Sequence, residues 1–410
     1  MRILQVNKFH FRHAGAEAHY LGVSDLLRAH GHYVGHFAME HPENLPCDQA
    51  RYFVRQIDYA APGGPLARLR LAAHTIYSTE ARRKIAALLD AEPYDLVHLH
   101  NFHHQLTPSI LPEIKRRGIP MVWTLHDYKI ICPNYKMLTH DGVCERCKGH
   151  RYYQAALHRC NKGSFAASAV NVVEMYLHHM LGSHGLVDCY HAPSRFMRDK
   201  VVAFGIPAER VVQIPYPIDF SARDPDYRPG AYFLYLGRLS SEKGIPELIE
   251  AIRRTPGARL KITGRGPYED EIRRLADKDG DGRLELTGHL TGEALENAIR
   301  GALAVVVPSI WYENLPFAVI EAFAYGKPVI GSRIGGITEM IEPGETGRLF
   351  EPGDVDGLAA CLAEALDDPA RIERMGRRGR ELALQQYDPE THYARLMAVY
   401  ERLVSSRPGG

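Results

Sequence analysis

Cysteine is scarce in this sequence. Seven cysteines in 410 residues are too few for a disulfide-stapled scaffold, which would need several times that density. Charge of one sign is also missing. Fifty Lys+Arg against 49 Asp+Glu leave a net charge of +1, which gives no basis for general polyanion binding. Long apolar runs are absent too. The most apolar stretch, 164–181, is interrupted by Glu174, His178 and His179 and is too polar to span a bilayer. The opening MRILQVNKFHF reads as a first strand without the apolar core of a signal peptide, so the expected location is the cytoplasm. No short repeat dominates, and 45% hydrophobic with 24% charged residues is the composition of a globular chain.

What is present is alternation. Short apolar runs at 3–6, 33–39, 96–100, 121–125, 187–191 and 211–214 are each followed by a polar or helical stretch. Strands buried on both faces and separated by helices predict parallel βαβ units. The segment PYPIDFSARDPDYRPG at 215–230 has the proline-rich, polar composition of a linker. The pattern then restarts, with strands expected at 232–236, 260–263, 284–287, 304–307 and 329–330. Helices are expected near 246–254, 269–277, 293–302 and 316–325. The fold class is therefore α/β, with two doubly wound Rossmann-like domains. The first covers 1–214 and the second 215–387, and an amphipathic final helix at about 388–410 packs back on the first. Open parallel sheets bind ligands at their carboxyl edges, so a cleft between the two domains is the expected site.

The most informative segment is SIWYENLPFAVIEAFAYGKPVIGSRIGG at 309–336. A strand runs into a loop holding Glu313, and Pro316 suits the first position of a helix. Asn314 and Leu315 fall at the cap, and the N–H groups there attract phosphate. Glu321 lies five residues further on, about 7.5 Å along the axis, where a carboxylate can accept hydrogen bonds from a ribose diol. After the strand at 232–236 comes GRLSSEKG, with Arg238 and Lys243 between two glycines. Two fixed cations at a strand end suit a diphosphate leaving group. The first turn carries Gly15 and Ala16 where backbone can approach a ligand. That turn is not GxGxxG, which disfavours a dinucleotide site.

These elements together resemble the retaining glycosyltransferases of family four, which have the two-domain GT-B architecture. The resemblance rests on GAE at 15–17, DLVHLHN at 95–101, TLHDY at 124–128 and GRLSSEKG at 237–244. TGRGP at 263–267, TGHL at 287–290 and ENLPFAVIEAFAYGKPVI at 313–330 complete it. It implies a hexosyltransferase that moves sugar from a nucleotide diphosphate sugar to a glycan or lipid-linked hydroxyl in cell-surface polysaccharide assembly. By resemblance, Glu321 is the ribose acid, Glu313 the acid near the donor sugar, and Asn314, Leu315, Pro316 and Phe317 hold sugar and phosphate. Arg238 and Lys243 neutralise the diphosphate, so no metal is required for catalysis. His126 touches the donor sugar, Gly15 and Ala16 approach the phosphates, and Gly264, Arg265, Gly266 and Leu290 fall where the base binds. Retention of configuration is likewise implied by the resemblance alone.

Three further sets were weighed. Cys132, Cys144, Cys147 and Cys160 form C-x11-C-x2-C-x12-C, a candidate structural zinc set, with an iron–sulfur or redox role and plain thiols as the alternatives. Of the histidines at 98, 100, 103 and 104, the first two alternate in a strand and read as structural. Asn101 and His103, with Tyr128, are candidate acceptor-side contacts. Arg68, Arg70, Arg82, Arg83 and Lys84 read as a solvated helix face, with docking on anionic lipid at the inner face of the plasma membrane as the functional alternative. No nucleic acid partner is expected. An NDP-sugar epimerase of the same fold and a non-catalytic sugar-nucleotide-binding or scaffold protein are the competing functions.

Overall fold

Near-continuous apolar runs become the strands of two separate parallel sheets. The computed structural model describes residues 1–57, 64–221, 223–277 and 282–406. It divides into two compact units. One comprises Met1–Thr139, Cys144–Ile214 and the chain from His392 onward; the other comprises Pro215–Thr391 with His140–Val143.

In the first unit the elements run β1 (Arg2–Val6), α1 (Gly15–Ala29), β2 (Tyr33–Phe37), α2 (Pro65–Ile76), α3 (Thr79–Ala91), β3 (Leu96–Leu99), α4 (Leu111–Arg116) and β4 (Met121–Thr124). A long irregular stretch follows, holding only β5 (Leu138–Thr139), β6 (Gly142–Val143) and the single-turn α5 (Gln154–Leu157). Then come α6 (Phe165–Met180), β7 (Cys189–Ala192), α7 (Arg195–Ala203) and β8 (Val211–Gln213). Six strands form one parallel sheet in the order β2-β1-β3-β4-β7-β8. One side of it packs Ile3, Leu96 and Val122 against Val23 and Leu27 of α1 and against Leu396 and Tyr400 of the last helix.

The second unit repeats the scheme with β9 (Tyr232–Leu236), α8 (Ile245–Arg254), β10 (Leu260–Thr263), α9 (Glu269–Asp277), β11 (Leu284–Gly288), α10 (Gly292–Arg300) and β12 (Ala302–Val307). It continues through α11 (Phe317–Ala324), β13 (Val329–Ser332), β14 (Gly347–Phe350), α12 (Val355–Asp367) and α13 (Pro369–Gln386). The last helix, α14 (Pro389–Ser405), enters the first unit from His392 on. Sheet order is β11-β10-β9-β12-β13-β14, all parallel. Successive residues of β9 feed opposite cores: Leu234 joins Val305, Val319 and Phe323 on one face, while Phe233 and Tyr235 join Leu248, Ile262 and Val306 on the other.

The structure corrects the sequence reading in three places. Ala302 opens a strand instead of closing a helix, because all of Ala302–Val307 is buried in the sheet. The edge strand β14 was not anticipated. Pro316 is the N-cap, with extended backbone (φ −67°, ψ 120°), so the helix starts one residue later, at Phe317.

Candidate functional site

In the second unit the segments singled out by sequence meet at the carboxyl ends of β9, β10 and β12. The GRL loop and the TGRGP loop are stitched by backbone. Gly237 N–H donates to Thr263 O (3.1 Å), Leu239 N–H to Arg265 O (2.9 Å) and Tyr268 N–H to Leu239 O (3.0 Å). A Cβ on Gly264, whose φ is +144°, would lie 1.8 Å from Gly237 O, so only glycine permits that approach. Arg238 and Arg265 stand exposed on the two loops.

Lys243 projects from the same strand end toward the turn before α11. Its Nζ donates to Glu313 Oε1 at 2.6 Å, and Ser309 Oγ donates to the same oxygen at 2.5 Å. The ammonium also lies 5.2 Å from the centroid of the Trp311 ring. Glu242 O accepts from Ile310 N–H at 3.0 Å, tying the two loops together. Behind Glu313, a Cβ on Gly336 would fall 1.7 Å from Asn314 O, and Gly336 N–H donates to Glu313 O at 2.7 Å. The paired glycines of SRIGG therefore form the bed on which the start of α11 rests. Leu315 is buried, and Phe317 and Leu290 pack half-buried around the same core.

At the head of α11, Val319 N–H turns back to Pro316 O at 3.1 Å. The N–H groups of Phe317 and Ala318 precede any helical acceptor, leaving the positive end of the dipole at this turn. Glu321, half-buried in the middle of the helix, has its carboxyl pushed up to about 7 by burial, which Arg223 partly offsets.

In the first unit Gly15 opens α1 and is exposed, with Ala16 half-buried behind it. His126 follows β4, and its tautomer can be deduced. With the Gln5 amide turned so that Oε1 faces His100, His100 donates to it from Nε2 (2.7 Å). Burial holds His100 neutral, leaving its Nδ1 an acceptor. His126 Nε2 lies 2.9 Å from that atom and is the donor. His126 is itself held neutral, near pKa 3, by burial and the neighbouring His191, so its acceptor nitrogen is Nδ1.

A second relay crosses the sheet with equally fixed polarity. Ile214 O accepts from His191 Nε2 (2.6 Å), so Thr124 donates to His191 Nδ1 (2.8 Å). Thr124 in turn accepts from His98 Nε2 (2.7 Å), and Tyr400 O–H donates to His98 Nδ1 (2.6 Å). His98, within β3, and His100, one residue beyond its end, are both fully buried. Neither the relays nor the roles of Ser309, Trp311 and Gly335–Gly336 were read from sequence. The GG pair was the one visible signal.

The acceptor-side candidates fare unequally. Asn101 donates its N–H to Asn7 Oδ1 at 3.0 Å and stays half-buried at the sheet edge. His103 is packed among Phe102, Trp123 and His184, with centroids 4.6–5.9 Å away. Tyr128 is 1% exposed, with its ring in the core.

The four cysteines gather around one small void of about 10 Å³, the size that holds a single water or ion. All are free thiols. Burial pushes Cys132 and Cys160 each up to about 11, with the neighbouring thiols adding to the shift. Tetrahedral zinc needs sulfur–sulfur edges of about 3.8 Å. Among the described residues, the group of three or more ligand atoms all within 4.8 Å of one another is instead His19, His100 and His126. The thiols converge without forming a closed ligand set.

A six-stranded parallel sheet in each unit, with a cationic loop and a helix start at one carboxyl edge, is the GT-B fold of glycosyltransferases. A profile described as Glycosyltransferase Family 4 matches residues 13–222, about half of the chain, and one described as Glycosyl transferases group 1 matches 222–382. The chain belongs to glycosyltransferase family 4. It is 36% identical over 242 residues to glycogen synthase of Mycobacterium tuberculosis, covering 56% of each chain. It is 25% identical over 403 residues to phosphatidyl-myo-inositol mannosyltransferase of Mycolicibacterium smegmatis, covering 94% of this chain and 90% of the relative. Among solved structures it resembles Anabaena HepE in complex with UDP-glucose, with a TM-score of 0.67 and 17% identity over 98% of this chain and 100% of the other. The chain spans about half the length of several curated relatives it matches.

Proposed function

We propose that this chain moves a hexose from a nucleotide diphosphate sugar to a hydroxyl of a glycan or lipid-linked acceptor, with retention of configuration, in cytoplasmic assembly of cell-surface polysaccharide. One observation carries the reading. Lys243, Glu313 and Ser309 converge within 2.6 Å contacts beside the head of α11, where free N–H donors and a cation serve a diphosphate. The likeness to a glycogen synthase, to a mannosyltransferase and to a protein solved with UDP-glucose supports the same class.

In this scheme the bond from the sugar's anomeric carbon to the diphosphate oxygen breaks as negative charge grows on the leaving phosphate. Lys243, Arg238 and the N–H groups of Phe317 and Ala318 stabilise that charge from fixed positions. The acceptor oxygen bonds to the same carbon on the face the phosphate leaves, and its proton passes to the departing phosphate oxygen. Glu313 orients Lys243 and accepts from donor-sugar hydroxyls. Glu321 accepts from the ribose diol. His126 contacts a donor-sugar hydroxyl, as the family resemblance implies. The test is release of nucleoside diphosphate from UDP- or GDP-hexoses with a glycan acceptor, abolished in Lys243→Ala while the circular dichroism spectrum is kept. Release by the wild type with no acceptor present, or unchanged turnover in Lys243→Ala, would exclude the reading.

We also propose that Cys132, Cys144, Cys147 and Cys160 close on one zinc ion that fixes the irregular stretch after β4. Five non-glycine residues of that stretch, Tyr135, Met137, His150, Arg159 and Lys162, have positive φ, a cost that a cross-link would offset. Protein purified without added metal should contain one zinc per chain. None in the wild type, or the same content in Cys144→Ser/Cys147→Ser, rules the ion out.

A further inference from the structure

Helix α6 is built inside out. Its buried face carries, beside Met175, the polar Ser168, Asn171, Glu174 and His178, each of the four tied to the protein. Glu174 accepts from Lys129 Nζ at 2.7 Å, Asn171 Nδ2 donates to Pro133 O at 3.1 Å, and His178 Nε2 is bonded to Ile76 O at 2.8 Å. The opposite face is apolar and open to solvent: Phe165 is 58% exposed, Val173 53% and Met180 77%. Spacings of eight and seven residues keep these side chains on one side of the helix. An ordinary surface helix presents the reverse arrangement. Beside α6 lies α2, on which Leu66 (75%) and Leu69 (67%) are also exposed.

The charge around this face has one sign. From Arg146 to Leu181 there are five Lys or Arg and one acid, and that acid, Glu174, is the buried partner of Lys129. Arg159 and Lys162 stand exposed just before the helix. The loop carrying Lys148 and Arg151 is drawn to its far end by the His150–His179 stack, with centroids 4.0 Å apart. Among the described residues no carboxylate pairs with Lys148, Arg151, Arg159 or Lys162. Of the basic cluster singled out in the sequence, Arg70 stands exposed on α2, while two members on α3 are tied to carboxylates. Arg82 is bound to Glu113 (2.9 Å) and Lys84 to Glu40 (3.3 Å) and Glu80 (3.6 Å).

We infer that α6 and α2 form the surface by which this protein lies on an anionic lipid bilayer. An apolar stripe rimmed by cations fits a headgroup boundary, with side chains entering the acyl region and lysines and arginines meeting lipid phosphates. Sixteen residues of α6 make about 24 Å of helix, which lies along the membrane plane and does not cross it. Charge decides between occupants: a second copy would set Lys148, Arg151, Arg159 and Lys162 against the same four cations. The inference is independent of sugar transfer, because lipid binding needs neither donor nor acceptor.

The experiment is co-sedimentation of the full-length protein with vesicles of phosphatidylcholine alone and of phosphatidylcholine with 30% phosphatidylglycerol, at low and at high salt. The wild type should bind the anionic vesicles and lose affinity with salt. Val173→Glu/Met180→Glu should weaken binding about tenfold or more, and Arg159→Glu/Lys162→Glu should weaken it and flatten the salt dependence. All four sites are exposed, and an unchanged melting temperature checks that each variant is folded. Failure of the wild type to bind anionic vesicles at low salt would overturn the inference. So would equal binding by Val173→Glu/Met180→Glu, equal binding to neutral vesicles, or a wild-type dimer that the same variant dissociates without lipid.

Discussion

The ammonium of Lys243 lies 2.6 Å from Oε1 of Glu313, a residue 70 positions further along the chain. Both side chains are largely shielded, at 20% and 7% exposure, so each compensates a charge the other would leave stranded. Lys243→Ala should lower unfolding free energy by roughly 1–3 kcal/mol, and Glu313→Gln should cost a similar amount. The double variant should cost less than the sum by about 1 kcal/mol or more. Urea unfolding of the four proteins measures the cycle, and strict additivity would mean that the pair contributes nothing.

Backbone contact beneath α11 makes a sharper prediction. With only 1.7 Å between a Cβ on Gly336 and Asn314 O, Gly336→Ala must displace the turn that carries Glu313. Nucleotide-sugar affinity should fall about tenfold or more, with a loss of stability of roughly 1–3 kcal/mol. Gly22→Ala is the control. It lies inside α1 with open space around it, and should stabilise by about 0.5–1 kcal/mol. Calorimetric titration and thermal unfolding separate the two outcomes.

Glu321 gives donor binding a pH dependence. Its carboxyl sits at about 7 because of burial, while a ribose diol donates best to the ionised form. Affinity should therefore rise as pH climbs from 6 to 8, with proton release on binding near neutral pH. Glu321→Gln should bind more weakly with a flat profile. Titration in buffers of different ionisation enthalpy counts the protons, and zero release at pH 7 would contradict the assignment.

The buried histidines of the first unit predict acid lability. His10 and His191 are held near pKa 4, and His126 and His184 near 3, all chiefly by burial. Each binds a proton more readily when unfolded, at the ordinary value of about 6.5. Their neutral forms favour the fold above that pH, and the advantage is lost as pH falls toward 4. Each group contributes a slope of up to roughly 1.4 kcal/mol per pH unit. Urea midpoints should drop steeply between pH 6.5 and 5, and an unchanged midpoint would mean that these imidazoles are not buried neutral.

Strands that are apolar on both faces announce themselves, so β9, β10 and β12 and the cationic loop after β9 were legible in the sequence. The short edge strand β14, whose sequence GRLF includes a half-buried arginine, did not stand out from a turn. Glu313 was identified by its spacing from Glu321, yet its partner Lys243 came from an unrelated loop that only the parallel sheet brings near. Burial of the Tyr128 ring is not legible from TLHDY, because it depends on how the chain turns after β4. Helix α6 shows the deeper limit. Its periodicity gives two faces, and the usual rule assigns the apolar one to the core. Lys129 and Pro133, far away in the sequence, claim the polar face instead.

Binding of the donor by Lys243 is the claim on which the rest depends, and a thermal-shift titration with UDP-, GDP- and ADP-hexoses addresses it most directly. One of these donors, at about a hundred times its dissociation constant, should stabilise the wild type by about 2.7 kcal/mol and leave Lys243→Ala almost unmoved. No shift with any of them, or an equal shift in Lys243→Ala, would contradict it.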